Sequence, residues 1–233
     1  MKPTKKILSI IFLILVILAL GAYFLFFNHG NLSEQETDSF LNFKNYDTTL
    51  APEILAKYSS DFEKAKQDIL EKTDEFNTSK WLSIARLKKY VKDYAGAEEI
   101  YLMVIEKDPN NYIPEANLAD LYGNYLKDWQ KAADHYWQAV NKTGLNFSTG
   151  FLFYTNLADI YAFNLKDQAN VFETKALAAL EKGYVNNVDF LTLMARFYKN
   201  TDNKIKAIEF LEKALVLNPA NREAILQEIE MLK

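Results

Sequence analysis

His29 and His135 are the only histidines in the chain, cysteine is absent, and no Gly-rich phosphate loop, GxSxG elbow or HExxH helix occurs. A zinc centre draws on three or four His, Cys or carboxylate ligands, and a Ser or Cys nucleophile needs a base beside it. Two histidines far apart in the sequence supply neither. Carboxylates do come in close pairs, Glu98–Glu99 and Glu228–Glu230, and two carboxylates facing one bond serve as general acid and base in some hydrolases. Residues one or two apart on a helix point away from each other, so these pairs read as solvated faces. His135 stands beside Tyr136 and Trp137 in an amphipathic pattern and is assigned no role. The chain is therefore expected not to be an enzyme, with no catalytic residues, no cofactor and no metal.

Charge gives a second exclusion. The formal net charge is −4, and Lys2, Lys5 and Lys6 all precede the first apolar run, so everything after it is more acidic still. An acidic domain repels phosphate backbones, and the one dense basic cluster, Arg86, Lys88, Lys89 and Lys92, falls in a helical pattern that reads as a solvated face. No nucleic-acid partner is expected. Without cysteine there are no disulfides, and packing must hold the fold together.

Among the elements that carry these residues, the first is Ile7 to Phe27, apolar except for Ser9 and Gly21. At about 1.5 Å per residue such a helix spans roughly the 30 Å hydrocarbon core of a bilayer. Lys2, Lys5 and Lys6 lie before it, whereas Glu34, Glu36 and Asp38 follow. The positive-inside rule then keeps residues 1–6 cytoplasmic, makes 7–27 a single-pass signal-anchor and places the rest outside the cytoplasm. A cleaved signal peptide is the competing reading, since Ala19 and Gly21 are small, but the apolar stretch continues through Ala22 to Phe27.

Residues 28–50 are expected to be a juxtamembrane spacer. Ser33 and Glu36 have capping-box spacing, which predicts a short helix from about Ser33 to Phe43, and Asn45 to Thr49 form a polar break. Over 51–77, beginning at Pro52, the residues Ile54, Leu55, Tyr58, Phe62, Ala65, Ile69, Leu70 and Phe76 recur mostly every three or four positions, which predicts a long amphipathic helix.

Internal repetition follows. Asn117-Leu-Ala-Asp-Leu-Tyr122, closing in Leu126-Lys-Asp128, aligns with Asn156-Leu-Ala-Asp-Ile-Tyr161, closing in Leu165-Lys-Asp167. A first unit supplies Trp81, Ile84 and Ala85, then Ala97 and Tyr101, then Pro109; a last supplies Leu191, Met194, Ala195 and Tyr198, then Ala207 and Leu211, then Pro219. With these residues the chain resembles the tetratricopeptide repeat family, a helix–turn–helix unit of about 34 residues that stacks into a solenoid. Between them lie Leu118, Ala119, Tyr122, Ala132 and Tyr136, and then Tyr154, Leu157, Ala158 and Tyr161. In the third unit Phe172, Ala176 and Ala179 offer competing registers for the second helix. Four units are expected, about 78–111, 112–146, 150–186 and 188–221, with 222–233 as a capping helix. Ala85, Ala119, Ala158 and Ala195 are spaced by 34, 39 and 37 residues, and the extra residues are expected in loops. The expected fold class is thus all-α: an N-terminal transmembrane helix followed by a tetratricopeptide-like α-solenoid.

The resemblance implies a scaffold that binds a protein or peptide in a concave groove lined by the first helix of each unit. By the match, that groove holds Arg86, Lys89 and Tyr90; Asn117, Asp120 and Asn124; Asn156, Asp159 and Phe163; and Arg196, Lys199 and Asn200. Asn117 and Asn156 coincide with an asparagine common in the family, whose amide can serve a peptide backbone or its own scaffold equally well. Basic ends and an acidic middle suit a ligand of mixed charge. The alternative is a structural membrane protein that self-associates as a homo-oligomer through its many aromatic residues, 14 Tyr and 16 Phe.

Overall fold

In a computed structural model the described residues are 39–71, 76–144 and 147–233. The expected anchor at 7–27, and the capping box at Ser33 and Glu36, lie outside them. Among the described residues no helix is long and apolar enough to cross a membrane. The described residues are all-helical apart from turns and connections, and the chain divides into two compact units at Pro109 and Asn110.

Unit 1 contains α1 (Pro52–Leu70), α2 (Thr78–Tyr90) and α3 (Tyr94–Lys107). Proline opens α1, where its missing N–H costs nothing, with Glu53 in the first turn to suit the helix dipole. The helix expected over 51–77 ends at Leu70. Asn77 caps α2 by accepting from the Lys80 N–H at 3.1 Å. Trp81, Ile84 and Ala85 of α2 and Ala97, Ile100 and Tyr101 of α3 are all buried, and α2 packs on both α1 and α3.

Residues 41–50 are more than a spacer. Between residues 39 and 50 helix covers only 39 and 40, and from Leu41 to Leu50 the chain runs irregularly across unit 1. Leu41 is buried, Phe40 meets Trp81 edge-on at 6.1 Å, and Phe43 meets Phe62 at 5.1 Å. The Tyr46 N–H donates to the Val91 carbonyl at 2.8 Å. Polarity at Asn45 to Thr49, which reads as a break, instead folds the segment back on itself. Asp47 accepts from the Thr49 N–H and hydroxyl and from Lys92 at 3.0 Å.

Unit 2 begins with α4 (Ile113–Asp120), which runs straight into a π-helical turn at Leu121–Leu126, followed by α5 (Trp129–Thr143). Next come α6 (Phe147–Asp159) with a π turn at Ile160–Asn164, and α7 (Ala169–Ala179) with a π turn at Leu180–Tyr184. It ends with α8 (Val188–Asn200), α9 (Lys204–Leu217) and α10 (Arg222–Leu232). Helix α4 packs on α5, α5 on α6, α8 on both α6 and α9, and α10 on α9. The small and bulky helix residues that carry the repeat pattern in this unit are buried, among them Ala119, Tyr122, Ala132, Ala158, Tyr161, Ala195 and Ala207. Alanines at these contacts let helix axes come close while the tyrosines fill the space beside them.

One device recurs at three of the turns. A left-handed residue, Lys92, Lys127 or Asp202, is followed at once by a capping Asp93, Asp128 or Asn203. Each cap side chain accepts the N–H three residues on, at 3.1 to 3.2 Å. Four residues after the cap stands a buried alanine, and eight after it a buried Tyr or Leu.

The turn before α7 breaks this rule. Leu165-Lys-Asp167 repeats Leu126-Lys-Asp128, yet Lys166–Gln168 forms a 3-10 turn and Gln168, without a side-chain cap, precedes the helix. Capping at Asp167 would put Val171 and Lys175 at the two core positions. Starting one residue later puts Phe172 and Ala176 there instead, both buried, and leaves Lys175 in solvent. Burying an unpaired ammonium costs far more than the roughly 1 kcal/mol a cap contributes, so core register wins. Large and small residues are thus exchanged in this helix, which settles the register between Phe172 and Ala176. The extra residues of the middle units also lie mainly in helix rather than loops, as the π turns and the early start of α6 at Phe147.

Candidate functional site: the face of the first helices

In unit 1, Arg86 and Tyr90 are exposed and Lys89 is half-buried. Tyr90 is stacked on Tyr58 of α1, with ring centroids 5.5 Å apart. This trio therefore presents a cationic edge beside an aromatic pair.

In unit 2 the first helices bring four of the expected residues into one cleft of about 220 Å³. Asn124, Asn156, Asp159 and Phe163 line it, above a floor of Ala119 and Tyr136. The π turns shape this cleft. A π turn adds a residue to the helical ring and turns side chains off the regular face, and such turns gather at functional sites. Here they begin at the matched positions Leu121 and Ile160 and bring Asn124, Phe163 and Asn164 to the cleft. Phe163 is 54% exposed and lies at the surface rather than in the core. Asn164 and Trp129 also line the cleft and were not foreseen: Asn164 because π turns leave no trace in a 3.6-residue periodicity, Trp129 because it opens a second helix rather than a first.

The charges are more internally satisfied than the sequence suggests. Asp120 accepts a hydrogen bond from Asn124 at 2.7 Å, and Asp159 lies 3.2 Å from Arg196. Lys199 pairs with Glu228 on α10. Arg196 also reaches a second cleft of about 370 Å³, beside Thr155, Thr192, Asn218 and Asn221. Asn117 and Asn200 are half-buried outside both clefts. The face offers amides, one open aromatic ring and paired charges.

His135 has a structural task that its sequence context conceals. Its Nδ1 is 2.7 Å from Glu115 Oε2, Lys142 donates to Glu115 Oε1 at 2.8 Å, and the imidazole stacks on Tyr122 with centroids 5.5 Å apart. Glu115 is buried. Burial alone raises a carboxyl, but the hydrogen bonds from His135 and Lys142 outweigh it and hold Glu115 below its ordinary range. This cluster ties α4 to α5. Among the described residues no three His, Asp or Glu side chains are grouped to hold a metal ion.

In comparison with known proteins, no family model and no curated protein matches the chain. Among solved structures it is similar to YrrB, described as a TPR protein with an unusual peptide-binding site, at 15% identity and a TM-score of 0.31. That similarity covers 72% of this chain and 97% of the other.

Proposed function

We propose that the chain is a tetratricopeptide-type scaffold, held to a membrane by residues 7–27, that grips an extended segment of another protein on the first-helix face of unit 2. The observation that carries this reading is the exposed Phe163 ring set among the amides of Asn124, Asn156 and Asn164. An extended backbone presents one donor and one acceptor per residue, and carboxamides match both, while an exposed ring gives a side chain of the partner something apolar to cover. With its charges already paired, the cleft selects for backbone and shape more than for a charged tail. Such a scaffold would serve assembly, secretion or envelope organisation outside the cytoplasm.

The test is a photoreactive benzoylphenylalanine at Phe163, compared with one at the exposed Gln138 on α5, in native membranes. A distinct partner captured from Phe163 and not from Gln138 supports the reading. The rival reading, self-association, draws on Ile205, Val216 and Met231, which are 82%, 81% and 71% exposed near the C-terminal end. Capture only of a second copy of the chain would favour it.

A further inference from the structure

The second helices of unit 2, α5 and α7, border a separate cleft of about 580 Å³. From α5 and its C-terminal turn come Trp137, Val140, Asn141 and Gly144; from α7 and its π turn come Lys175, Ala178, Ala179 and Lys182. Each set has spacing i, i+3, i+4, i+7 and so forms one stripe of its helix. Gly144, Ala178 and Ala179 keep the space open; a Cβ added at Gly144 would meet nothing within 4 Å.

The walls are aromatic. Trp137 meets Tyr154 edge-on at 5.8 Å, and Tyr154 meets Tyr184 edge-on at 6.1 Å. Trp137 Nε1 already donates to the Tyr161 hydroxyl at 3.3 Å. Burial pushes the Tyr154 phenol up to about 12 and also raises Tyr184, so both remain neutral at physiological pH.

The rim is cationic without a counter-charge. Lys175 Nζ sits 4.3 Å from the Trp137 ring centroid, and neither Lys175 nor Lys182 pairs with a carboxylate among the described residues. Lys131, Lys142, Lys199, Lys206 and Lys213 of the same unit each have an acidic partner, whereas Lys127, Lys166 and Lys204, like the two rim lysines, have none among the described residues; what sets Lys175 and Lys182 apart is that both border one cleft. No acidic residue lines the cleft.

We propose that this cleft binds a small molecule in which an aromatic or apolar body carries a carboxylate. The volume falls in the range of about 300–1,000 Å³ typical of small-molecule sites. The body lies between α5 and α7, over the small exposed parts of the largely buried Trp137, Tyr154 and Tyr184 rings, and displaces the Lys175 ammonium from the Trp137 ring. Lys175 and Lys182, about two helical turns or roughly 10 Å apart along the axis, converge on the carboxylate with their long side chains. Asn141 adds an amide donor. The site is distinct from the first-helix cleft and does not depend on it.

The test uses the full-length chain in lipid nanodiscs, labelled with 5-fluorotryptophan, with the Trp137 fluorine resonance assigned by Trp137→Phe. Titration with 3-phenylpropionate is expected to shift that resonance saturably, while the uncharged 3-phenylpropanamide binds at least roughly tenfold more weakly. Lys175→Gln with Lys182→Gln should weaken the acid by a similar factor, with Trp81 and Trp129 resonances unchanged as the check on folding. Ala178→Leu, at an exposed position, keeps both charges and should block binding by filling the cleft. No saturable Trp137 shift at millimolar acid, equal affinity for acid and amide, or indifference to the lysine double variant overturns the proposal.

Discussion

Lys88 of α2 and Asp93 of the turn after it form an ion pair at 2.8 Å with both side chains buried. The same ammonium donates to the Asn42 carbonyl at 2.8 Å and sits 5.8 Å from the Phe62 ring centroid, so one lysine joins residues 39–50, α1 and the α2–α3 turn. Removing one partner leaves the other charge buried and unpaired. Lys88→Ala is therefore expected to cost about 3–5 kcal/mol of unit 1 stability. Lys88→Met with Asp93→Asn, which keeps a capping side chain, should cost less than Lys88→Ala alone; urea unfolding of both variants makes the comparison.

Phe172 and Ala176 hold exchanged roles in α7, and Phe172 meets Phe197 of α8 at 4.5 Å and Trp137 of α5 at 6.3 Å. Phe172→Ala should destabilise unit 2 by about 3–5 kcal/mol. Ala176→Phe alone overpacks the same contact and should cost about 1–3 kcal/mol. The double variant restores the large and small order of the other second helices, so it should be more stable than the sum of the single effects implies. Strict additivity in thermal unfolding of the three variants would show that the two positions do not share one volume.

Phe172 and Ala176 are buried for a reason that local sequence does not carry. Helix pairs and their alanine contacts were legible because each rests on local spacing, as in Ala132 and Tyr136, whereas the capping turns at Asp93, Asp128 and Asn203 were not read from the sequence. Leu165-Lys-Asp167 repeats Leu126-Lys-Asp128 without its cap, because local capping there competes with a distant demand, the core register of Phe172, which no window of a few residues contains. The same holds at the candidate site. Asn124, Asn156, Asp159 and Phe163 could be named from the repeat, but the π turns that gather them could not. Glu115 and Lys142 are 27 residues apart, and nothing local announces that they meet over His135.

Acid should loosen both units through depressed carboxylates. Hydrogen bonds from Thr49 and then Lys92 hold Asp47 down at about 2, and those from His135 and Lys142 overcome burial to depress Glu115. A carboxyl whose folded pKa lies below its unfolded one contributes stability that is complete above the unfolded value and is lost as pH falls through the folded one. Stability should therefore decline as pH drops below the ordinary carboxylate range, toward about 2 for the Asp47 contribution. Asp47→Asn and Glu115→Gln should each flatten that acid slope, read as melting temperature against pH. A slope unchanged in both variants would assign the acid sensitivity elsewhere.

Asp159 and Arg196, 3.2 Å apart and each nearly half exposed, separate binding from folding on the first-helix face. Exposed pairs contribute roughly 0–1 kcal/mol, so Asp159→Lys should lower stability by no more than about that amount even though it sets two cations side by side. For a ligand lying across Asn156 and Phe163, the same change alters the charge at the cleft and leaves Arg196 without its partner. Partner capture from the Phe163 photoprobe should then fall, and its remaining yield should depend more strongly on salt, while the thermal melt barely moves. Asp134→Lys, at an exposed position on α5, serves as the charge-matched control and should leave capture unchanged. If Asp159→Lys and Asp134→Lys behave alike, the partner does not lie in this cleft, and the exposed apolar residues near the C-terminal end become the surface to probe next.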